Sequence, residues 1–231
     1  MEKLPLLKTM KKAVPSEVKG IIAQGLDVNE KDESGMTALI YASMKNEDHR
    51  VIKLLEEAGA DVNGRGSFGI TPLMAAGANT NPIVIKTLIR LGARVNDKDE
   101  VGRTPLMFAS RNQNPEIIKT YLDAGAKVNE KDQNGITPLM FAAMGNENPE
   151  IIKFFIEAGS DVNARDLNGM NAFLWAANNN TKQVVIRTLL AAGVDAKVKD
   201  RKGNTAFDHI QKNGNFRGTE IYWKLKNELQ I

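Results

Sequence analysis

The sequence of 231 residues contains no cysteine and only two histidines, His49 and His209. The lack of cysteine excludes disulfide bonds, thiolate metal sites and a cysteine nucleophile, and it leaves the redox compartment open. The two histidines lie far apart in the sequence, and no serine or cysteine nucleophile motif is close to either of them. We therefore expect no catalytic residue, no metal site and no cofactor, and we predict that the protein is not an enzyme.

Long apolar segments are missing as well. No stretch approaches the roughly 18 apolar residues that a membrane span needs, and the first twelve residues lack the continuous apolar region of a signal peptide. The formal net charge is only +3, and the charges are interspersed, so composition gives little support for nucleic acid as a partner. We expect a cytoplasmic monomer without a membrane span, while a trimmed signal peptide would leave secretion or delivery into a host open.

What the sequence does contain is a set of glycines at a nearly constant spacing of 33 or 34 residues. Two residues after five of them stands a threonine, and Asn171 holds the sixth place. Three copies read Thr-Pro-Leu-Met, at 71–74, 104–107 and 137–140. A period in the low thirties indicates one supersecondary unit stacked on copies of itself, because one such unit cannot bury its own apolar face. The periodic glycines are Gly35, Gly69, Gly102, Gly135, Gly169 and Gly203.

Ala-Gly and Val-Asn pairs recur in the same period, and together these registers resemble the ankyrin repeat, a β-turn and two helices around T-P-L-H-x-A. The resemblance covers nearly the whole chain and implies a single all-α solenoid over 1–231, built from helix-turn-helix units with β-turn or hairpin fingers. One departure is systematic, because the histidine of T-P-L-H is replaced by Ile40, Met74, Met107, Met140, Leu174 and Asp208. The predicted units are an N-terminal cap over 1–29, full repeats over 30–63, 64–96, 97–129, 130–163 and 164–197, and a C-terminal cap over 198–231.

Each unit has its own start and stop signals. Asp132-Gln-Asn-Gly135 fits a type I β-turn, the threonine two residues later caps the first helix, and proline occupies the first turn of that helix. Asn148-Pro149-Glu150 begins a second helix and Gly159 ends it. We expect units of 34 residues to differ from units of 33 by one residue in the loop between the two helices.

Two motifs imitate ligand sites, and we interpret both as turns. Gly64-Arg-Gly-Ser-Phe-Gly69 matches G-x-G-x-x-G, but Gly69 is a periodic glycine and the chain has no room for the βαβ unit that this motif requires. The segment from Glu130 to Gly135 resembles half of a calcium loop, but Phe141 stands where the bidentate glutamate is needed.

Two columns recur at fixed places in the period. An aromatic register four residues after the threonine position is assigned to packing between helices, with Trp175 partly exposed; an aromatic recognition stripe is the alternative. A basic column before the turn is assigned to solvated charges balanced by aspartates, and anion or nucleic-acid binding is the alternative. The aromatic register is Tyr41, Ala75, Phe108, Phe141, Trp175 and His209, and the basic column is Lys31, Arg65, Lys98, Lys131, Arg165 and Lys199.

The residues directly after the periodic glycines are predicted to form an exposed apolar column on the fingers, at Met36, Ile70, Ile136 and Met170. Finger tips and the ends of the first helices extend it, and contiguous exposed apolar surface marks a protein-binding site. The alternative is that neighbouring fingers pack on one another and hide these side chains. The column is extended by Phe68, Val101, Leu167, Met44 and Met144, and three charged residues, Arg103, Arg111 and Glu100, are expected to orient the partner.

The resemblance thus implies a non-catalytic module that binds a protein partner through its concave groove and fingers. Two other functions stay open: an electrostatic binder of nucleic acid or an anionic surface, and a structural spacer in a larger complex. The first would use the basic column and the basic residues of the C-terminal unit, 197–202 with Lys212, Arg217, Lys224 and Lys226. The 22 asparagines and many lysines suggest an AT-rich microbial genome and hence a free-standing bacterial protein.

Overall fold

The computed structural model describes residues 7, 9–25 and 27–228. Parts of the predicted caps, residues 1–6, 8, 26 and 229–231, lie outside the described residues. Thirteen α-helices, one 3-10 helix (Ser67–Gly69) and no β-strand occur in the described residues, and none of these helices is long and apolar enough to cross a membrane. The helices are α1 (Pro15–Ala23), α2 (Ala38–Lys45), α3 (His49–Glu57), α4 (Pro72–Ala76), α5 (Pro82–Arg90), α6 (Pro105–Ala109), α7 (Pro115–Asp123), α8 (Pro138–Gly145), α9 (Pro149–Glu157), α10 (Ala172–Asn179), α11 (Gln183–Ala191), α12 (Ala206–Asn213) and α13 (Glu220–Glu228).

The chain divides into two compact units, an N-terminal unit over 1–127 and a C-terminal unit over 128–231. In the N-terminal unit, the first helices α2, α4 and α6 pack in succession, and the second helices α1, α3, α5 and α7 form a neighbouring layer. In the C-terminal unit, α8, α10 and α12 are the first helices, α9 and α11 pack together as second helices, and α13 packs on α12. The prediction of an all-α repeat fold is confirmed.

Apolar residues of the second helices fill the space between the layers. Val51, Ile52 and Leu55 of α3 are fully buried, and Ile151, Ile152 and Phe155 are their counterparts in α9. Two second helices begin where the sequence predicts a cap: the Asn148 side chain accepts a hydrogen bond from the Glu150 N–H, and Asn114 does the same for Glu116.

The extra residue of the longer units lies in the first helix, so the prediction that it lies in the loop is wrong. α2, α8 and α10 have eight residues, whereas α4 and α6 have five. The Asn46 N–H bonds to the carbonyl four residues back, and the Asn79 N–H bonds to the carbonyl three residues back. Tightening the last turn from α to 3-10 geometry therefore absorbs the missing residue and keeps the following asparagine in place.

That asparagine belongs to a row of buried and half-buried asparagines that we call the inner ladder. The Asn79 Nδ2 atom donates to the carbonyl oxygens of Ser43 (2.9 Å) and Asn46 (3.0 Å) in the preceding repeat, and its Oδ1 accepts the Asn81 N–H. Each rung satisfies buried backbone groups that no helix can satisfy. The rungs are Asn46, Asn79 and Asn112 in the N-terminal unit and Asn180 and Asn213 in the C-terminal unit.

A second row, the outer ladder, connects the other side of successive repeats. The Asn63 side chain donates to the Gly92 carbonyl (3.0 Å) and accepts the Arg94 N–H (2.9 Å), so it binds the chain where the next second helix ends. Ladder and cap positions account for much of the asparagine content. The abundance of asparagine therefore has a structural cause, in addition to any effect of genome composition. The other outer rungs are Asn29 and Asn96 in the N-terminal unit and Asn129 and Asn163 in the C-terminal unit.

Candidate functional site

The fingers are four-residue turns that begin at the aspartate and end at the periodic glycine. In the turn at 166–169, the Gly169 N–H donates to the Asp166 carbonyl at 3.0 Å. The Asp166 Oδ1 atom accepts the N–H groups of Asn168 (2.8 Å) and Met170 (2.9 Å), so one carboxylate oxygen fixes the whole turn. The turns that start at Asp32, Asp99, Asp132 and Asp200 repeat this arrangement.

At Asp32, Asp166 and Asp200, the second carboxylate oxygen faces a donor that the first helix supplies. Tyr41 Oη donates to Asp32 Oδ2 at 2.6 Å, and Trp175 Nε1 donates to Asp166 Oδ2 at 3.0 Å. The aromatic register, which we assigned to helix packing alone, thus also holds the turn. Burial, together with the neighbouring Asp32 carboxylate, raises the pKa of Tyr41 to about 12.

The last finger uses a titratable donor in the same place. His209 Nε2 lies 3.1 Å from Asp200 Oδ2, and its Nδ1 lies 3.1 Å from Asn178 Oδ1. Burial lowers the pKa of His209, although the nearby Asp200 acts in the opposite direction. The side chain is only 8% exposed, so its role here is to support the turn.

The finger at 66–69 lacks both partners of this pair, because glycine replaces the aspartate and Ala75 stands in the aromatic register. Its turn is closed by a 3-10 helix, and Phe68 takes a φ of 57°. Phe68 is the one non-glycine residue with positive φ among the described residues, and its side chain is 69% exposed. A bulky side chain in this region costs about 1–2 kcal/mol of backbone strain.

Neighbouring fingers are joined by backbone hydrogen bonds. In the N-terminal unit, the Glu100 N–H donates to the Phe68 carbonyl at 3.0 Å. In the C-terminal unit, the Leu167 and Arg201 N–H groups donate to the Asn134 and Asn168 carbonyls at 2.8 Å. The fingers therefore pack on one another, as the alternative interpretation of the apolar column required.

This packing corrects the prediction of an exposed apolar column. Met170 is buried at 6% exposure, and the Arg201 N–H joins the next finger to the turn before it. Met36, Ile70 and Ile136 are half-buried; the Met36 sulfur lies so close to Gly66 that a Cβ atom there would be 2.9 Å from it. Met44 and Met144, at the ends of α2 and α8, are half-buried too.

Other predicted site residues are exposed. The finger-tip side chains of Phe68, Val101 (41% exposed) and Leu167 (54% exposed) project into solvent. Glu100 and Arg111 are also exposed. Phe68, Glu100 and Val101 lie together on two adjacent fingers of the N-terminal unit, whereas Leu167 belongs to the C-terminal unit.

Arg103 combines a structural contact with an open surface. Its Nε donates to Asp99 Oδ2 at 2.7 Å, because Phe108 in the aromatic register cannot donate. The guanidinium carbon lies 4.6 Å from the centre of the Phe108 ring, and the side chain is 34% exposed.

The residues of the basic column are exposed, and three of them also connect successive repeats. Arg65 donates to the carbonyls of Gly69 (3.3 Å) and Lys98 (2.8 Å) and pairs with Asp97. Arg165 donates to the Gly169 and Lys199 carbonyls, and Lys131 donates to the Arg165 carbonyl. These long side chains bind the backbone of the next repeat. Their spacing of one period is compatible with such contacts.

Comparison with protein families matches the ankyrin repeat model over residues 10–99, 44–132, 79–166 and 139–221. The chain belongs to the ankyrin repeat family. A comparison with curated proteins gives no match. Ankyrin repeats are generally protein–protein interaction modules and are typically not enzymes.

Within this ankyrin repeat protein, methionine sulfur stands at the place of the motif histidine. The Met74 sulfur accepts the Thr71 N–H at 3.5 Å while the Thr71 hydroxyl accepts the Met74 N–H, which forms a capping box with a thioether. Met140 forms the same pair with Thr137; at Thr104 only the contact to the Met107 sulfur is present. The starts of the first helices are thus capped locally, without a titratable ring.

Proposed function

We propose that this ankyrin repeat protein is a non-catalytic recognition module that binds a protein partner through its finger tips and the concave groove beside them. The observation that supports this most directly is Phe68, a large aromatic side chain that is exposed at 69% on a strained backbone. Because the ring is exposed, burial in the fold does not offset the free-energy cost of that strain. Strained, exposed residues concentrate at binding sites.

The neighbourhood of Phe68 favours a protein surface as the partner. Val101 occupies the same place in the next finger, which the Glu100 N–H holds against the Phe68 carbonyl. Two adjacent exposed apolar tips on rigid turns, with half-buried Ile70 beside them, resemble the apolar centre of a protein interface. Leu167 gives the C-terminal unit a tip of its own.

Binding of nucleic acid or of an anionic surface is supported less well. Phosphate contacts need several unpaired cations along one surface. Arg65, Arg165 and Lys131 instead donate to backbone carbonyls of the following repeat, those of Lys98, Lys199 and Arg165. The structural-spacer alternative has no observation in its favour, since a spacer needs no exposed phenylalanine at a finger tip.

The test is a quantitative comparison of captured partners from the native organism, using the tagged full-length chain and matched variants. The variant Phe68→Asn with Val101→Thr removes the two apolar tips, and asparagine tolerates a positive φ. The control is Ile83→Thr with Val184→Thr, which changes exposed apolar residues of α5 and α11. We expect a partner that the control retains and the tip variant loses; an unchanged set of partners with the tip variant contradicts the proposal.

A further inference from the structure

We propose that Arg103 is a carboxylate-binding residue, and that the partner presents an acidic side chain next to a large apolar residue at the fingers of the N-terminal unit. The inference rests on the proposed function, and it specifies the chemistry of the partner. Its basis is a guanidinium group that the fold holds in place but only partly uses.

The guanidinium is fixed at two points. Nε donates to Asp99 Oδ2 at 2.7 Å, and the Asp99 side chain is completely buried. The Phe108 ring lies 4.6 Å from the guanidinium carbon and supports one side of the planar group. A group that is immobilised before binding loses little entropy when a ligand arrives.

The terminal nitrogens of Arg103 are unused. Arginine has five N–H donors on its guanidinium, and Nε is the one that bonds within the part of the chain that the structure describes. The Nη atoms find no acceptor there, and the side chain is one-third exposed. Their parallel N–H groups match the two oxygens of a carboxylate.

The comparison with other fingers shows why this site is specific to Arg103. Tyr41 and Trp175 have a single donor each, and both use it on the finger aspartate. Both oxygens of Asp99 are already occupied, because Oδ1 accepts the Val101 and Arg103 N–H groups and Oδ2 accepts Nε. The buried carboxylate therefore presents no free oxygen to a ligand, while the guanidinium presents four N–H groups.

A protein carboxylate fits these surroundings better than a phosphodiester. Val101 is exposed on the same finger, and Phe68 is exposed on the preceding one. Ile70, two residues after Phe68, is half-buried. Arg65, the basic-column residue of the preceding finger, already binds two carbonyls and Asp97. One open guanidinium among apolar side chains recognises one anionic group beside an apolar group.

The experiment selects random linear peptides displayed on phage with the full-length protein and measures the affinity of the selected peptides as synthetic compounds. We expect selected sequences in which Asp or Glu is adjacent to a large apolar residue. Replacing that acid by its amide should lower the affinity of the peptide for the natural protein about tenfold. The Arg103→Lys protein should bind the acidic and the amide peptide equally well, because both changes remove the same bidentate bond. The control Arg94→Lys, an exposed arginine of the same unit, should behave as the natural protein does.

A second variant covers the case in which Arg103→Lys disturbs the finger. Phe108→Leu leaves the Asp99 bond intact but removes the ring under the guanidinium, and it should weaken the binding of the acidic peptide more than the binding of its amide form.

The inference is overturned if the selected peptides lack acidic residues and their binding depends on Phe68 but not on Arg103. That result would leave the proposed function standing. If Arg103 dependence appears with a single-stranded oligonucleotide and not with any peptide, the ligand is a phosphate and the inference is wrong. Selection of no peptide, combined with partner capture that Phe68→Asn leaves unchanged, counts against the proposed function itself.

Discussion

The fingers at 66–69 and 166–169 form the same chain reversal with different groups. In the second, Asp166 binds two backbone N–H groups and Trp175 Nε1. In the first, none of these side chains exists, and a 3-10 turn with Phe68 at positive φ closes the reversal. One finger is held by a hydrogen-bonded carboxylate, and the other by tight packing of a glycine.

The difference shows that four of the five finger aspartates act together with a side-chain donor. At Asp32, Asp166 and Asp200 a donor stands nine residues later, and at Asp99 the donor is Arg103, four residues later. Asp132 is the exception, because Phe141 stands in the aromatic register and cannot donate. Where glycine replaces the aspartate, Ala75 replaces the donor. In the paired fingers, losing either partner would leave a buried polar group unsatisfied.

The largest expected effect comes from turning one finger into the other. Asp166→Gly removes the acceptor of two N–H groups and of the Trp175 side chain, and we expect a loss of about 3 kcal/mol in the free energy of unfolding. Urea denaturation of the full chain measures it. Asp195→Gly, at an exposed position with one local bond to the Lys197 N–H, is the control and should lose less than half as much. Equal losses would show that the hydrogen bonds of the Asp166 carboxylate contribute no more to the free energy of unfolding than one exposed local bond does.

The reverse change should also destabilise, although it restores the residue found in every other finger. A Cβ atom at Gly66 would lie 2.9 Å from Ile40 Cδ1 and from the Met36 sulfur, and 3.1 Å from the Gly35 carbonyl oxygen. Gly66→Asp should therefore cost about 2 kcal/mol. Gly20→Ala, in α1 with no atom within 4 Å of its Cβ position, is the matched control and should be neutral or stabilising. A more stable Gly66→Asp protein would refute the packing argument.

Removing only the donor gives a smaller effect. Trp175→Phe keeps most of the ring but leaves Asp166 Oδ2 without its 3.0 Å hydrogen bond, which we expect to cost about 1–2 kcal/mol in urea denaturation. Trp223→Phe, at a side chain that is half exposed in α13, should change the stability little. The same loss in both variants would mean that ring size matters and the indole hydrogen bond does not.

The smallest effect is a gain. Asn134 and Asn168 stand at the position of Phe68 in other fingers, and asparagine tolerates a positive φ. Phe68→Asn should thus stabilise the protein by about 0.5–1 kcal/mol, visible as a higher melting temperature. Val101→Asn, at the same finger position with ordinary backbone geometry, should leave the melting temperature unchanged. A lower melting temperature for Phe68→Asn would show that the phenylalanine ring supports the fold.

The periodic part of this architecture was predictable, because it follows from local chemistry that repeats in the sequence. Asp132 with Gly135 specifies a turn, and Thr137 with Pro138 specifies a helix start, whatever the neighbouring repeat does. The capping by methionine sulfur was missed, although its signal was the repeated Thr-Pro-Leu-Met itself. A thioether accepts only weak hydrogen bonds, so methionine is ordinarily assigned to the core.

The candidate site was predicted less well, because exposure depends on contacts between repeats. Ile70 and Met170 share one register, yet Met170 is buried and Ile70 is half-buried. The sequence pattern cannot tell these apart, because both are large apolar residues directly after a periodic glycine. Arg103 was selected as an orienting charge, but its fixation by Asp99 and Phe108 was not foreseen, because that role exists only where the aromatic register lacks a donor.

The inner and outer ladders have a consequence for how this protein responds to its solvent. Each rung joins an uncharged amide to uncharged backbone groups, as the bonds from Asn79 to Ser43 and Asn46 show. Dissolved ions screen interactions between charges and leave such contacts nearly untouched. Within each unit, cohesion between repeats should therefore persist from dilute buffer to concentrated salt, so ionic strength can be varied to weaken an electrostatic contact at the surface while the repeats beneath it keep their arrangement.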